Sequence, residues 1–279
     1  MSRVVLCVLL ALDDACSWSA GALILPSRRI TWRTPALESR GAVALAAAMQ
    51  SGKSIDTDDG NCTLHAKAPK IITSLLTSSR STVELLLLYD EHGAAFNRVH
   101  LSAFWNMMGK HARREAAGGN LNRLPSRHPA RAHTLGVIRD TSERELSAIA
   151  WGAAAAGLDT HKWPNLWPRV ADRAVDELSR QHAGHAGAAW TTKGLATLAW
   201  AFATAGHSSP RLYDAIGRAS VPRLAEFNQH ECSNIVWAFA TAGHPDEALF
   251  STAAREVAAR ADEFRPQGLA NTACNLARA

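Results

Sequence analysis

The eight residues WAFATAGH occupy Trp200–His207 and return without change at Trp237–His244, 37 residues later. This spacing is too long for a coiled-coil heptad and lies in the range of roughly 20 to 50 residues that is typical of stacked structural repeats. With the tryptophan as an anchor, related segments occur upstream at Trp151 and Trp105, and downstream at Cys274, where cysteine replaces the tryptophan. The anchor spacings of 46, 49, 37 and 37 residues predict five copies, the last one cut short.

Each copy is predicted to form two helices. In the first helix, apolar residues fall five and two residues before the anchor and two residues after it, as Leu195, Leu198 and Phe202 do. These spacings of three, four and seven residues are typical of the buried stripe of an amphipathic helix.

Glycines and prolines predict where these helices end and begin. Gly206 and Gly243 would end first helices, because a residue without Cβ adopts the left-handed conformation at little cost. Pro210 and Pro245 would open second helices, and Pro222 would bend or break the helix that contains it.

One helical hairpin cannot cover its own apolar face, because burying a Leu, Phe or Trp side chain contributes only about 1.5 to 3 kcal/mol. Stacking of the copies is therefore required. The sequence predicts an all-α fold, a right-handed α-solenoid of stacked helical hairpins with repeats of about 37 residues, over residues 71–279. The tryptophans lie among alanines and are expected to fill gaps between closely packed helices rather than to stack on bases.

The N-terminal residues are predicted to be a targeting leader over residues 1–52, followed by a polar linker over residues 53–70. Val4–Leu12 is an apolar run too short to cross a bilayer, so we expect no stable membrane insertion, and Ala20–Ala22 has the form of a cleavage site. The next segment is rich in arginine and poor in acids, like a transit peptide. This order predicts a plastid (chloroplast stroma) or a mitochondrion (mitochondrial matrix) as the location; the alternative is a disordered N-terminus.

Composition and motifs give no indication of catalysis. The sequence has 47% hydrophobic residues and a formal net charge of +5, which is a globular composition that favours an anionic partner. Its five cysteines never form a CxxC pair, and no GxSxG, P-loop or HExxH motif occurs. We therefore predict no catalytic residues, no metal, no cofactor and no enzymatic activity.

A second stripe of the first helices is polar or small and contains no acid. It comprises the positions seven and three residues before the anchor and one and four residues after it. A solvated helix face normally mixes both charge signs, whereas repeat proteins that read single-stranded RNA place short polar side chains at fixed positions, with basic groups nearby. The candidate RNA-binding residues are Arg98, Ser102, Asn106, Arg144, Lys193, Thr197, Thr204, His230, Asn234, Thr241, Gln267, Asn271, Asn275 and Arg278.

Residues 110–139 separate the first two copies and hold seven Lys or Arg against one acid, Glu115. Their glycines and prolines predict a basic loop that neutralises phosphates; the alternative is an ordinary basic loop. The candidate phosphate-contacting residues are Lys110, Arg113, Arg114, Arg123, Arg127, Arg131 and Arg139.

The phrases NIVWAFATAGH (234–244) and GLANTA (268–273) resemble those of the heptatricopeptide and octotricopeptide repeat proteins of apicomplexans and algae, and the repeats of the FAST-kinase-like and RNA-editing-substrate-binding families. Residues 84–113 resemble the repeat that precedes a RAP domain. The resemblance covers about residues 71–279 and is closest over 191–279. It implies an RNA-binding protein of organellar RNA processing, stability or editing. The implied partners are single-stranded RNA and other proteins of an organellar ribonucleoprotein complex.

Helical solenoids also bind peptides along a concave face, so a protein–protein interaction scaffold is the alternative function. The acid-free stripe favours RNA, whereas basic residues outside the concave surface would favour the scaffold. No RAP domain follows the repeats in this sequence, so the resemblance gives no support for the nuclease-like activity of RAP proteins.

Overall fold

The computed structural model describes residues 70–117, 124–183, 189–244 and 246–278, and all of its regular secondary structure is helical. The predicted leader, almost all of the predicted linker, Arg123 and Pro245 lie outside the described residues. All of the described helices belong to one unit of the chain, Leu64–Ala279.

Ten helices follow residues 70–78, which are also helical. In chain order they are α1 (Thr82–His92), α2 (Arg98–Ala117), α3 (Pro129–Val137), α4 (Glu143–Ala155), α5 (Leu166–His182), α6 (Thr192–Ala205), α7 (Pro210–Ser220), α8 (Gln229–Ala242), α9 (Glu247–Ala259) and α10 (Pro266–Arg278). We call α2, α4, α6, α8 and α10 the first helices, and α3, α5, α7 and α9 the second helices.

Neighbouring helices of the same kind pack against each other. Each first helix contacts the next one along the chain, from α2 through to α10, and α5 contacts α7 in the same way. The apolar stripe of the first helices forms the core between the two kinds of helix: Leu195, Leu198 and Phe202 are fully buried, as are their counterparts in α8. The predicted stripe is confirmed.

The predicted helix ends are largely confirmed as well. Gly206 and Gly243 take φ values of 66° and 63° after α6 and α8, and the structure adds Gly157, at 70°, after α4. Pro210 is the first residue of α7, and Pro222 lies in the 3-10 turn that replaces the α-helix from Val221 onward.

The register of the first copy differs from the prediction by one residue. Asn97 caps α2, since its Oδ1 accepts hydrogen bonds from the backbone N–H groups of Val99 and His100 at 3.0 and 3.1 Å. Trp105 is the eighth residue of α2, whereas each of the other tryptophan anchors is the ninth residue of its helix. Asn106 is therefore the true counterpart of the later tryptophans.

This shift changes the surroundings of the first tryptophan. Trp105 is fully buried, and its Nε1 donates a hydrogen bond of 2.8 Å to Thr134 Oγ1 in α3. The prediction that all four tryptophans occupy equivalent places is thus wrong for Trp105, because α2 begins one residue later relative to its tryptophan.

Two parts of the predicted basic loop at 110–139 are helical. Lys110 to Ala117 form the end of α2, and Pro129 to Val137 form α3. The part of the predicted loop at residues 118–123 lies outside the described residues.

Candidate nucleic-acid interface

The second, sixth, ninth and thirteenth residues of each first helix form a side that faces solvent. We call this side the open face. The apolar stripe lies at the fourth, seventh and eleventh residues. At about 100° per residue, the ninth residue is on the opposite side of the helix from that stripe. The open face is thus the side of each first helix that points away from the core.

Besides Asn106, ten of the predicted RNA-binding residues lie on the open face, all exposed or partly exposed. They occupy the second, sixth and thirteenth positions of α4 to α10: Arg144, Lys193, Thr197, Thr204, His230, Asn234, Thr241, Gln267, Asn271 and Arg278.

The predicted residues of the first copy are placed differently because of the shifted register. Arg98 is the first residue of α2 and its Nε lies 3.0 Å from Glu145 Oε2, in an ion pair that joins α2 to α4. Ser102 donates its hydroxyl to the carbonyl of Val99. Asn106 does lie on the open face, at the ninth position.

The stripe predicted from sequence also included the residue after each anchor, and this position is buried between helices in α4, α6 and α8. Gly152, Ala201 and Ala238 occupy it, and a Cβ on Gly152 would lie 2.0 Å from the carbonyl oxygen of Trp105. These small residues allow adjacent first helices to approach closely. Asn275, in α10, is partly exposed there.

A groove of about 620 Å3 runs across the open face of α2, α4 and α6. Three cations line it: Lys110, Arg144 and Lys193. All three are exposed, and none forms an ion pair or a side-chain hydrogen bond within the described part of the chain. Glu143 is the one acid in its lining, and its Oε1 accepts a hydrogen bond of 2.8 Å from Thr191 Oγ1.

The other acids of the first helices are also engaged in local contacts. Glu145 closes the capping box of α4 and pairs with Arg98. Glu231 closes the capping box of α8 and accepts a hydrogen bond of 3.0 Å from Thr192. Because these carboxylates are held at helix ends, the uncompensated charge of the described open face is positive.

Three tryptophans that were predicted to fill gaps between closely packed helices form a ladder along the open face, and two of them, Trp200 and Trp237, also pack against the hydrophobic core. Trp151, Trp200 and Trp237 are partly exposed, and each consecutive pair has ring centroids 6.4 Å apart and planes inclined by 32°. Their position opposite the apolar stripe was a signal available in the sequence. Aromatic faces of this kind stack on bases of any identity.

Of the candidate phosphate-contacting residues that the structure describes, only Lys110 lines the groove of the open face, and Arg123 lies outside the described residues. Arg131 is buried, donates a hydrogen bond of 2.7 Å to the carbonyl of Lys162 and lies 5.4 Å from the ring centre of Trp163, and its burial lowers its pKa. This buried guanidinium is a structural group and not a phosphate ligand. The exposed arginines of the segment are Arg113, Arg114, Arg127 and Arg139.

A second basic groove, of about 530 Å3, lies on the side of the second helices. Arg139, Arg169 and Arg211 line it together with Asp172 and Asp176. Neither Arg139 nor Arg211 has an acidic partner within the described residues, and Arg169 donates only to a backbone carbonyl.

No model of a known protein family matches the chain, and no curated protein matches it significantly. Among the described residues, no three His, Cys, Asp or Glu side chains are grouped as a metal ion would require. None of the described helices combines the length and the apolar character needed to cross a membrane.

Proposed function

We propose that this chain is an α-solenoid that binds single-stranded RNA along the open face and acts in the processing, stability or editing of mitochondrial or plastid transcripts. The packing of consecutive first helices, each against the next, supports the solenoid. The observation that carries RNA binding is the groove over α2, α4 and α6, where three unpaired cations surround the partly exposed ring of Trp151.

This combination suits single-stranded nucleic acid. Lysine and arginine neutralise the phosphates, and an aromatic ladder accepts unstacked bases. Duplex RNA keeps its bases paired and stacked, so the ladder would contribute nothing to its binding. The proposed organellar location is inferred from the predicted leader alone. The proposed role in RNA processing is inferred from the resemblance of the repeats.

The second candidate is a scaffold that binds an acidic protein segment. The observation that favours it is the arginine-rich groove on the side of the second helices. The two functions place their ligands on opposite sides of the described helices, so paired charge variants distinguish them.

We expect Lys110→Ala/Arg144→Ala/Lys193→Ala to weaken the binding of single-stranded RNA by about tenfold or more. Each phosphate contact contributes about 0.7 to the slope of log K against log salt concentration, so the loss of three contacts reduces this slope by about 2. Fluorescence anisotropy of a labelled RNA, measured at several salt concentrations, checks both effects.

Arg169→Ala/Arg180→Ala/Arg211→Ala is the matched control, because it removes the same charge from the second helices α5 and α7. It should leave RNA affinity nearly unchanged. RNA binding that is lost in the control but not in the open-face variant would place the ligand on the other side. A wild-type protein without salt-dependent RNA binding would exclude the proposed function and favour the scaffold.

A further inference from the structure

The open face has two parts that differ in chemistry, one on α2 and α4 and the other on α6, α8 and α10. At the sixth position of the first helices, α2 and α4 carry alanine, at 103 and 148. The other three helices carry Thr197, Asn234 and Asn271 there. An alanine side chain cannot form a hydrogen bond, whereas an amide provides two donors and an acceptor.

The thirteenth position follows the same division. The last three first helices carry Thr204, Thr241 and Arg278, so each has two polar side chains one above the other on the open face. In α4 this position is Ala155, and in α2 it is the cation Lys110. Polar pairs at the sixth and thirteenth positions thus occur in the last three copies and not in α2 or α4, where Asn106 and Lys110 of α2 are single polar residues at the ninth and thirteenth positions.

The cations of the second position are concentrated in the earlier copies, and Arg278, at the thirteenth position of α10, is the exposed cation of the described open face outside them. The groove lined by Lys110, Arg144 and Lys193 covers α2, α4 and α6. The second positions of α8 and α10 hold His230 and Gln267 instead of lysine or arginine. The positive groove and the polar pairs therefore overlap only at α6.

The amide of Asn234 is oriented by its neighbour. Its Nδ2 donates to His230 Nε2 at 3.2 Å, which leaves the carbonyl oxygen and one N–H available to a ligand. Asn271 is exposed and makes no side-chain hydrogen bond within the described residues. An asparagine amide with a free donor and a free acceptor can pair bidentately with a base edge, which discriminates that base from the others.

We infer that the RNA site has two functionally distinct parts. The copies that contain α2 and α4 hold the sugar-phosphate backbone without reading sequence, and the copies that contain α6, α8 and α10 read three consecutive bases. Asn234 and Asn271 discriminate strongly, and Thr197 discriminates weakly because a hydroxyl pairs with most base edges. This inference rests on the proposed function and adds to it a ligand class: single-stranded RNA with a determinant of three bases next to a stretch of any sequence.

The test is selection from a pool of RNA oligomers with random sequence, using the purified full chain. The wild-type pool should be enriched at three neighbouring positions. Asn234→Ala should remove the base preference at the middle position, and Asn271→Ala should remove it at one outer position. Each variant should lower the ratio of the affinities for the preferred base and for the other bases at its position by about fivefold or more. Asn165→Ala is the matched control, since this exposed asparagine at the start of α5 makes no capping hydrogen bond.

The open-face triple variant should weaken all sequences alike and leave the three-base preference unchanged. Unaltered circular dichroism of each variant checks that the fold is retained. RNA binding by the wild type with no base preference, or a preference that survives both asparagine variants, would overturn the two-part site while leaving the proposed function intact. A wild type that binds no RNA would overturn both.

Discussion

Gly152→Ala is expected to lower the free energy of unfolding by about 3 kcal/mol, at the upper end of the usual cost of overpacking. The added Cβ would lie 2.0 Å from the carbonyl oxygen and 2.3 Å from the carbonyl carbon of Trp105. These are backbone atoms of α2, so the clash can be relieved only by moving α2 away from α4. Urea denaturation followed by circular dichroism measures the change.

Gly194→Ala is the matched control, because its Cβ would also meet another atom, at 1.6 Å, but that atom is the carboxylate oxygen of Glu143. This side chain can rotate away, and alanine favours a helix by about 1 kcal/mol over glycine. The control should therefore be nearly neutral. A Gly152→Ala protein as stable as the wild type would contradict the close approach of α2 and α4.

Trp105→Ala is expected to lower the free energy of unfolding by about 3 to 5 kcal/mol. The indole is fully buried between α2 and its neighbours, and its Nε1 bonds to Thr134. Truncation would leave a large cavity and remove that hydrogen bond. Equilibrium denaturation of the variant, under the same conditions as the wild type, measures the loss.

Trp237→Ala provides the comparison, since this ring lies at the end of the ladder and is partly exposed. We expect it to cost less than half as much stability while weakening RNA binding. Equal destabilisation by both variants would mean that the two tryptophans occupy equivalent places, contrary to the register described above.

Local signals in the sequence were sufficient to predict α6 and α8 and their ends. The apolar stripe of Leu195, Leu198 and Phe202 follows from helical periodicity, and left-handed Gly206 and Gly243 follow from the absence of a Cβ. These features depend on residues within a few positions of each other, so no knowledge of the tertiary structure is needed.

The register of the first copy was misassigned because it was set by the tryptophan, although Trp105 follows Asn97 by eight residues and Trp237 follows Asn228 by nine. The N-cap residues Asn97 and Ser142 are 45 residues apart, whereas Trp105 and Trp151 are 46 apart. Alignment on the capping residues would have identified Asn106 as the counterpart of Trp151. The cap fixes where a helix begins, whereas a large apolar residue can occupy either of two adjacent buried or half-buried positions.

Other parts of the candidate interface depend on contacts between distant residues. The ion pair of Arg98 with Glu145, which removes this arginine from the predicted interface, joins residues 47 apart in sequence. The grouping of Lys110 with Arg144 and Lys193 likewise requires three helices to be packed side by side. Sequence alone placed Lys110 in a loop.

Photocrosslinking tests the central claim most directly, because it locates the RNA on the protein. A single-stranded RNA that contains 4-thiouridine would be bound to the purified full chain and irradiated, and the crosslinked peptides would be identified by mass spectrometry. Our account predicts crosslinks in the first helices, centred on Trp151, Trp200 and Trp237. Crosslinks confined to α5, α7 and α9, or no crosslink above that of a non-binding control protein, would contradict it.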